Sequence, residues 1–357
     1  MTAPRAQSAP PRTVAVVKLS AIGDVCHTLP VIRTLERAWP QARFTWVIGE
    51  AEAALLGGIP EIEFLVHAKR SGLRGLAALR RTLAGRRFDL VLHMQFAWRA
   101  SMIATLLRAP VKLGYDRERA LDLQWLFTTE RIAAGGREHV MDGLFGFARA
   151  LGVEERDYRW DIPVPPSAAE RAATLIPAGH RALIVSPCSR HVLRNWRAEH
   201  YAAVADHAFA QLGLEIFLCG GGSALERRMG EEIAARMRAP HVNLIGQDTL
   251  IELYALIGRA TVLLAPDSGP VHMATALRVP VVGLYAATSA ARSGPYFSRE
   301  WCVDRFELAA RRYLGRSAAE LPWRTKIERP GVMDLIEPAA VIERLAVAAA
   351  AGRVQGP

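Results

Sequence analysis

Four short stretches of the 357-residue chain carry side chains able to do chemistry. The first is Thr-Val-Leu-Leu-Ala-Pro-Asp-Ser-Gly-Pro-Val-His-Met-Ala-Thr-Ala-Leu, residues 261–277. An apolar run ends there in Asp267 and Ser268, either of which can cap a following helix through its side-chain oxygen. Gly269 lets a ligand approach the backbone closely. Pro270 suits the first helical position, where its missing N–H leaves nothing unpaired. The free amides and positive dipole end of such a helix attract anionic oxygen, so this turn is expected to hold a phosphate group.

The second stretch, Lys18-Leu-Ser-Ala-Ile-Gly-Asp24-Val-Cys-His-Thr-Leu-Pro30, follows another apolar run. With Gly23 as its one glycine it is no dinucleotide fingerprint, and no Gly-Lys-Ser/Thr makes it a P-loop. The reactive group it offers is Asp24, which reads either as a general base or as the N-cap of the next helix. The third, Ile184–Arg197, crowds Ser189 with Arg190, Arg194 and Arg197. Guanidinium forks suit phosphate, and a solvated basic loop is the other reading. In the fourth, a glycine turn at 220–222 precedes Glu226. The turn either makes room for a nucleotide, with Glu226 accepting from ribose hydroxyls, or is purely structural.

These stretches need rigid elements to hold them. Continuous apolar runs at Val14–Leu19, Phe44–Ile48, Leu90–Met94, Ala182–Ser186, Glu215–Cys219, Thr261–Ala265 and Val281–Tyr285 predict strands buried on both faces. Helical patterns between them, such as Leu29–Trp39, Arg197–Gln211 and Ala224–Arg238, predict βαβ units and parallel sheets. The proline-punctuated stretch Asp161–Pro177 interrupts the alternation, which restarts at Ala182. Two Rossmann-like halves with a cleft between them are expected, and the candidate residues sit at strand exits, where open α/β sheets bind ligands.

The formal net charge of +10 favours an anionic partner. Lys69–Arg87 holds seven basic residues and no acidic one, with leucines at roughly helical spacing. That pattern suits an anionic membrane surface or acidic acceptor, or else an arginine-rich helix face in solvent. No run of about 18 apolar residues predicts a membrane span. The opening MTAPRAQSAPPR has no apolar core, so a disordered leader rather than a signal peptide is expected. Cys26, Cys188, Cys219 and Cys302 are too far apart for metal pairs and read as free thiols of a reducing cytoplasm. No Asp-x-Asp occurs, which weakens a metal-bridged diphosphate.

Together these stretches resemble the family 9 glycosyltransferases, the ADP-heptose:lipopolysaccharide heptosyltransferases. The similarity runs from about Val14 to Ala349, and its most specific parts are residues 17–30 and 267–277; Asn243–Leu250 is similar to the family's loop beside the base pocket. The resemblance implies an α/β GT-B fold, two Rossmann-like parallel-sheet domains facing across a cleft. The implied boundaries are a leader at 1–12, an acceptor domain at 13–165, a nucleotide-sugar domain at 166–335, and a final segment at 336–357 packing back on the first domain. It implies inverting transfer of heptose from ADP-heptose to the inner core of lipopolysaccharide, with no metal or other cofactor.

Carried over, Asp24 matches the general base, and Lys18 and Gly23 its acceptor-side loop. Asp267, Ser268, Gly269 and His272 match the diphosphate loop. Arg194, with Ser189 in the same loop, stands where the family has a phosphate-contacting lysine, and Glu226 falls near a ribose-contacting glutamate. Gln95, Arg99, Arg117, Arg119 and His139 match acceptor-facing positions. The implied partners are ADP-heptose, an acidic lipid acceptor (Kdo-lipid A or core oligosaccharide) and the cytoplasmic face of the inner membrane, where the protein would be peripheral, with no nucleic acid. Ala-Ala-Thr-Ser-Ala after Tyr285 departs from the family's Gly-Pro-Thr-Asp-Pro, and Trp301–Pro330 is longer than usual, with no assigned role. Another sugar or a later core acceptor, a sugar-nucleotide epimerase and a non-catalytic sugar-nucleotide-binding protein are the alternatives.

Overall fold

The structure, a computed structural model, describes residues 9–352, so most of the expected leader and the last five residues lie outside it. The chain divides into two compact units, Met1–Pro163 and Val164–Pro357; the expected boundary followed residue 165.

The first unit is a six-stranded sheet built from β1 (Thr13–Val17), β2 (Arg43–Gly49), β3 (Ile62–His67), β4 (Leu90–His93), β5 (Val111–Gly114) and β6 (Glu130–Arg131). Their spatial order is β3-β2-β1-β4-β5-β6 and every pairing is parallel, with Val14 opposite both Phe44 and Leu90. The second unit repeats the plan with β7 (Ala182–Val185), β8 (Glu215–Leu218), β9 (His241–Asn243), β10 (Val262–Pro266), β11 (Val281–Tyr285) and β12 (Val303–Asp304). Their order is β12-β11-β10-β7-β8-β9, again all parallel.

The inner strands β1, β4, β7 and β10 are buried almost throughout, because helices cover both faces of each sheet. That burial explains why their sequences read as unbroken apolar runs. The five strands absent from the sequence reading (β3, β5, β6, β9 and β12) lie toward the sheet margins. They are mostly short and partly exposed, so their composition carries less signal.

Each sheet has one place where strand order reverses: between β1 and β4 in the first, and between β7 and β10 in the second. Loops leaving adjacent strands diverge there and open a ligand crevice at the carboxyl edge. The Lys18–Asp24 loop leaves β1 and Gln95 follows β4. Ser189 and Arg194 follow β7, and Asp267–Gly269 follows β10.

The final helix, Pro338–Ala351, packs on the helix Ala198–Leu212 and beside β10 and β11 of its own unit. Val341, Leu345, Ala348 and Ala349 are buried in the second unit's core with Val204, Val282 and Val303. A stripe of small and branched apolar side chains reads as a core-facing helix, but nothing in it says which core.

One buried histidine gives the first unit a pH signature. His93, at the end of β4, is fully buried with Nε2 3.0 Å from Ser101 Oγ. Burial first, then the charges of Lys112 and Lys18, push its pKa from 6.5 down to about 3. The unfolded chain therefore binds a proton near pH 6.5 that the native chain refuses until about pH 3. Its contribution is present above pH 6.5 and is lost as pH falls toward 3, by up to about 1.4 kcal/mol per pH unit. Denaturant titrations are expected to show a shallower acid loss for His93→Asn than for wild type over that window. Equal slopes would mean His93 is not held neutral.

Candidate active site

In the first unit the candidate residues converge on one loop. Lys18 is almost fully buried, and its Nζ donates to Asp24 Oδ2 at 2.8 Å. Asp24 lies in the first turn of the helix Ile22–Ala38, where the dipole favours a carboxylate. The N-cap position is Ala21, so Asp24 is not the cap, and its side chain remains 41% exposed. Its neighbour Cys26 is buried, and burial followed by the nearby Asp24 charge pushes the thiol up to about 12, so no thiolate competes as nucleophile. All four cysteines are free and buried.

Gln95 holds this loop in shape. Its Oε1 accepts from the amides of Leu19 (2.7 Å) and Ser20 (3.1 Å), and its Nε2 donates to Ser20 Oγ at 3.3 Å. Gly49, at the end of β2, donates its amide to Leu19 O at 3.0 Å. A Cβ there would lie 2.3 Å from that oxygen, so only glycine allows the approach. The Ser20–Ala21 peptide is cis.

The other acceptor-side candidates are dispersed. Arg119 is ion-paired with Asp116 and Glu138 and donates to Ala133 O at 2.8 Å, which ties down its own loop. His139 caps the helix Val140–Ala150, its Nδ1 accepting from the Met141 amide at 3.1 Å. Both have local structural work. Arg99 follows Gln95 in the helix Trp98–Leu106, and Arg117 is exposed with its guanidinium 5.7 Å from the Trp125 ring centre. Gly23 adjoins Asp24 in the first helical turn.

In the second unit, β10 runs into the helix Gly269–Ala276 with Ser268 at the N-cap in extended backbone. The expected side-chain cap is absent. Ser268 makes no capping bond, and its Oγ is buried without a hydrogen-bond partner. Asp267 is not the cap either. Its carbonyl accepts from Ser189 Oγ at 2.8 Å, and its carboxylate lies 3.3 Å from Arg194 Nη1. Gly269 is the first helical residue, which moves Pro270 one place further in than expected. The helix start thus keeps its amides and an unsatisfied hydroxyl for a ligand. His272 is buried within that helix.

Sequence reading missed a carboxylate here. Glu328 Oε1 accepts from Arg194 Nε (2.9 Å) and Nη2 (2.7 Å), and its Oε2 lies 3.5 Å from His191 Nε2. Partial burial opposes ionisation of Glu328, but the hydrogen bond and charge of Arg194 outweigh it and hold its carboxyl below the ordinary value. Glu328 belongs to the long unassigned segment. That segment also braces the divergent loop after β11: Ile327 N donates to Ala287 O at 2.8 Å, and Asp304 accepts from the Ala290 amide at 2.9 Å.

Glu226 closes a capping box with Ser223 and accepts from the Gly221 amide at 2.9 Å, so its carboxylate shapes the glycine turn. Arg227, also missed, donates to Gly222 O and Gly246 O, both at 3.2 Å, and joins the turns after β8 and β9. A cavity of about 460 Å³ lies elsewhere, at the amino edge of the first sheet between Arg43, Glu61, Glu63 and Arg86. Ligand chemistry in parallel sheets belongs to the opposite edge.

Two Rossmann-type sheets, one offering a positioned carboxylate and the other a helix start suited to phosphate, define a GT-B glycosyltransferase. The chain belongs to glycosyltransferase family 9 (heptosyltransferase), whose model matches residues 76–323. It is 34% identical to the lipopolysaccharide core heptosyltransferase OpsX of Haemophilus influenzae, over 94% of this chain and 96% of that one. Among solved structures, it is similar to a family 9 glycosyltransferase from Veillonella parvula (TM-score 0.77, 22% identity, 95% and 97% of the two chains covered). It is also similar to the ADP-heptose lipopolysaccharide heptosyltransferase II of E. coli (TM-score 0.71, 19% identity, 96% and 99% covered). These two likenesses concern the fold. Among the described residues no helix is long and apolar enough to cross a membrane.

Proposed function

We propose that this enzyme transfers heptose from ADP-heptose to the inner core of lipopolysaccharide, with inversion and without a metal, from the cytoplasmic face of the inner membrane. Two of its relatives support the substrate, a lipopolysaccharide core heptosyltransferase and an ADP-heptose lipopolysaccharide heptosyltransferase. The observation that carries the mechanism is the pairing of two strand-order reversals with opposite chemistry: Asp24 oriented by Lys18 at one, the Ser268–Gly269 helix start at the other.

In this reading Asp24 takes the proton of the acceptor hydroxyl while its oxygen bonds to the anomeric carbon. The bond from that carbon to the ADP oxygen breaks, and the electron pair leaves with ADP. Charge building on the diphosphate meets the free amides of the helix start, Ser268 Oγ and the Arg194 guanidinium. Glu226 and the turns joined by Arg227 lie where the nucleoside would sit. Lys18, Gly23 and Gln95 shape the acceptor side, and Arg99 and Arg117, on the segments after β4 and β5, are assigned as cations for an acidic glycolipid.

The test is a panel of nucleotide sugars and core acceptors, read by mass, with and without EDTA. The expected product is the acceptor plus one heptosyl residue, formed from ADP-heptose at the same rate in EDTA. Loss in EDTA restored by Mg²⁺ would sink the metal-free scheme. Preference for another donor would reassign the sugar, and the divergent Ala286–Ala290 loop is where that difference would arise.

A further inference from the structure

The loops at the carboxyl edge of the first sheet carry an apolar surface that the mechanism does not use. Trp98, Met102, Leu121, Leu123, Trp125 and Leu126 are all exposed, Leu126 by 57% and Leu123 by 53%. They form one surface. The Trp98 ring meets Phe127 edge-on at 5.3 Å, and the Trp98 amide donates to Asp122 Oδ2 at 3.1 Å. Asp122 and Leu123 both hold left-handed backbone, with φ of 52° and 56°. Leucine seldom adopts that conformation, and here it displays an apolar side chain to solvent. A clustered apolar surface of this kind marks an interaction site.

Its rim is cationic. The Arg117 guanidinium sits over Trp125, and Arg99 follows Trp98 directly. Burial, then the charge of Arg99, lowers the pKa of His67 at the end of β3, two residues before the basic stretch that begins at Lys69. Lys69, Arg70 and Arg74 are exposed there, around a Leu73 that is 84% exposed. The acidic groups of the apolar loop are Asp116, paired with Arg119, Asp122, held on the Trp98 amide, and Glu118. Exposed Trp and Leu ringed by Arg and Lys complement the boundary between anionic headgroups and acyl chains.

The same loop is tied to the base. Gln124, fully buried between exposed Leu123 and Trp125, donates through Nε2 to His93 O at 2.8 Å and Gln95 O at 2.9 Å. Gln95 in turn holds the Leu19 and Ser20 amides of the Asp24 loop. We propose that the surface from Trp98 to Leu126 docks on a bilayer bearing anionic lipids, so that a lipid-borne acceptor meets the sheet edge that holds Asp24. The proposal rests on the glycolipid acceptor proposed above.

The experiment uses the full chain, sedimented with vesicles of phosphatidylethanolamine and phosphatidylglycerol, and separately of phosphatidylcholine. Wild type is expected to partition onto the anionic vesicles and to be released by salt. The double variant Leu123→Asp, Leu126→Asp is expected to partition at least about tenfold less, since two leucines leave the apolar boundary and two negative charges enter. Aspartate suits left-handed backbone better than leucine, so the fold is expected to survive, checked by circular dichroism. Equal partitioning of the folded variant and wild type overturns the proposal. So does a wild type that binds neither vesicle, or one that self-associates through this face, seen as a dimer lost in the variant by sedimentation velocity. Transfer to a deacylated, soluble acceptor is expected to be equal in both proteins. Its absence from wild type would count against the function reading and leave the vesicle result standing.

Discussion

Asp24→Ala is expected to lower transfer by about 10²–10⁴-fold, the usual contribution of a general base, and to leave ADP binding at the wild-type level. The split follows from where the groups stand. Asp24 belongs to the first unit, and every group proposed to hold ADP belongs to the second. Removing the carboxylate also strips Lys18, which is 97% buried, of the acceptor 2.8 Å from its Nζ. Part of an alanine effect could therefore come from a displaced loop. Asp24→Asn separates the two, because the amide oxygen still accepts from Lys18 but cannot take a proton. Both variants should bind ADP by calorimetry as wild type does, and both should fail in turnover with a delipidated acceptor. Full activity in Asp24→Asn would remove Asp24 as the base. Full activity in Asn with none in Ala would make it a positioning residue.

The second large effect is expected at Arg194. Its guanidinium faces Glu328 through two nitrogens and Asp267 through a third. Arg194→Ala removes a cation aimed at the leaving diphosphate, a loss of roughly 10²–10³ in kcat by comparison with other transition-state donors. It also leaves two carboxylates beside a polyanionic ligand, so ADP affinity should fall as well. Arg194→Lys keeps the charge but cannot reproduce a planar fork shared by two carboxylates, and should recover only part of the loss. The discriminating variant is the double change Arg194→Ala, Glu328→Gln. If uncompensated charge causes much of the defect, neutralising Glu328 restores part of ADP binding, and the two effects are not additive. Strict additivity would mean Glu328 lies outside the donor site.

Much of this site is legible in the sequence because its pieces are local. A run of apolar residues followed by small, capping and helix-starting residues encodes strand, turn and helix within about a dozen positions, so Lys18–Pro30 and Thr261–Leu277 stand out unaided. The Gly220–Glu226 turn is equally local, and its capping box is a four-residue pattern. Glu328 has no such signal. It reaches Arg194 across 134 positions from a segment with no motif, and an isolated glutamate looks like any surface carboxylate. Gln124 is hidden for the same reason: it sits among leucines and a tryptophan, and its partners at His93 and Gln95 belong to another strand exit. Arg119 and His139 err the other way. Their residue types invite a ligand role, but the carboxylates and amide they serve are visible only once the loops are folded.

The sequence by itself determined the two parallel sheets, the turns at their carboxyl edges and the residues presented there, because periodicity, turn chemistry and helix starts are set by neighbours in the chain. The tertiary structure decided which of those residues work together. It turned Asp24 from a possible helix cap into a carboxylate held by Lys18, and left Ser268 Oγ without a partner at an open helix start. It set Glu328 on Arg194, and it seated the final helix in the second unit's core. The last two depend on contacts between residues far apart in the chain, where the free energy of packing and ion pairing acts through space and leaves no periodic trace in the order of residues.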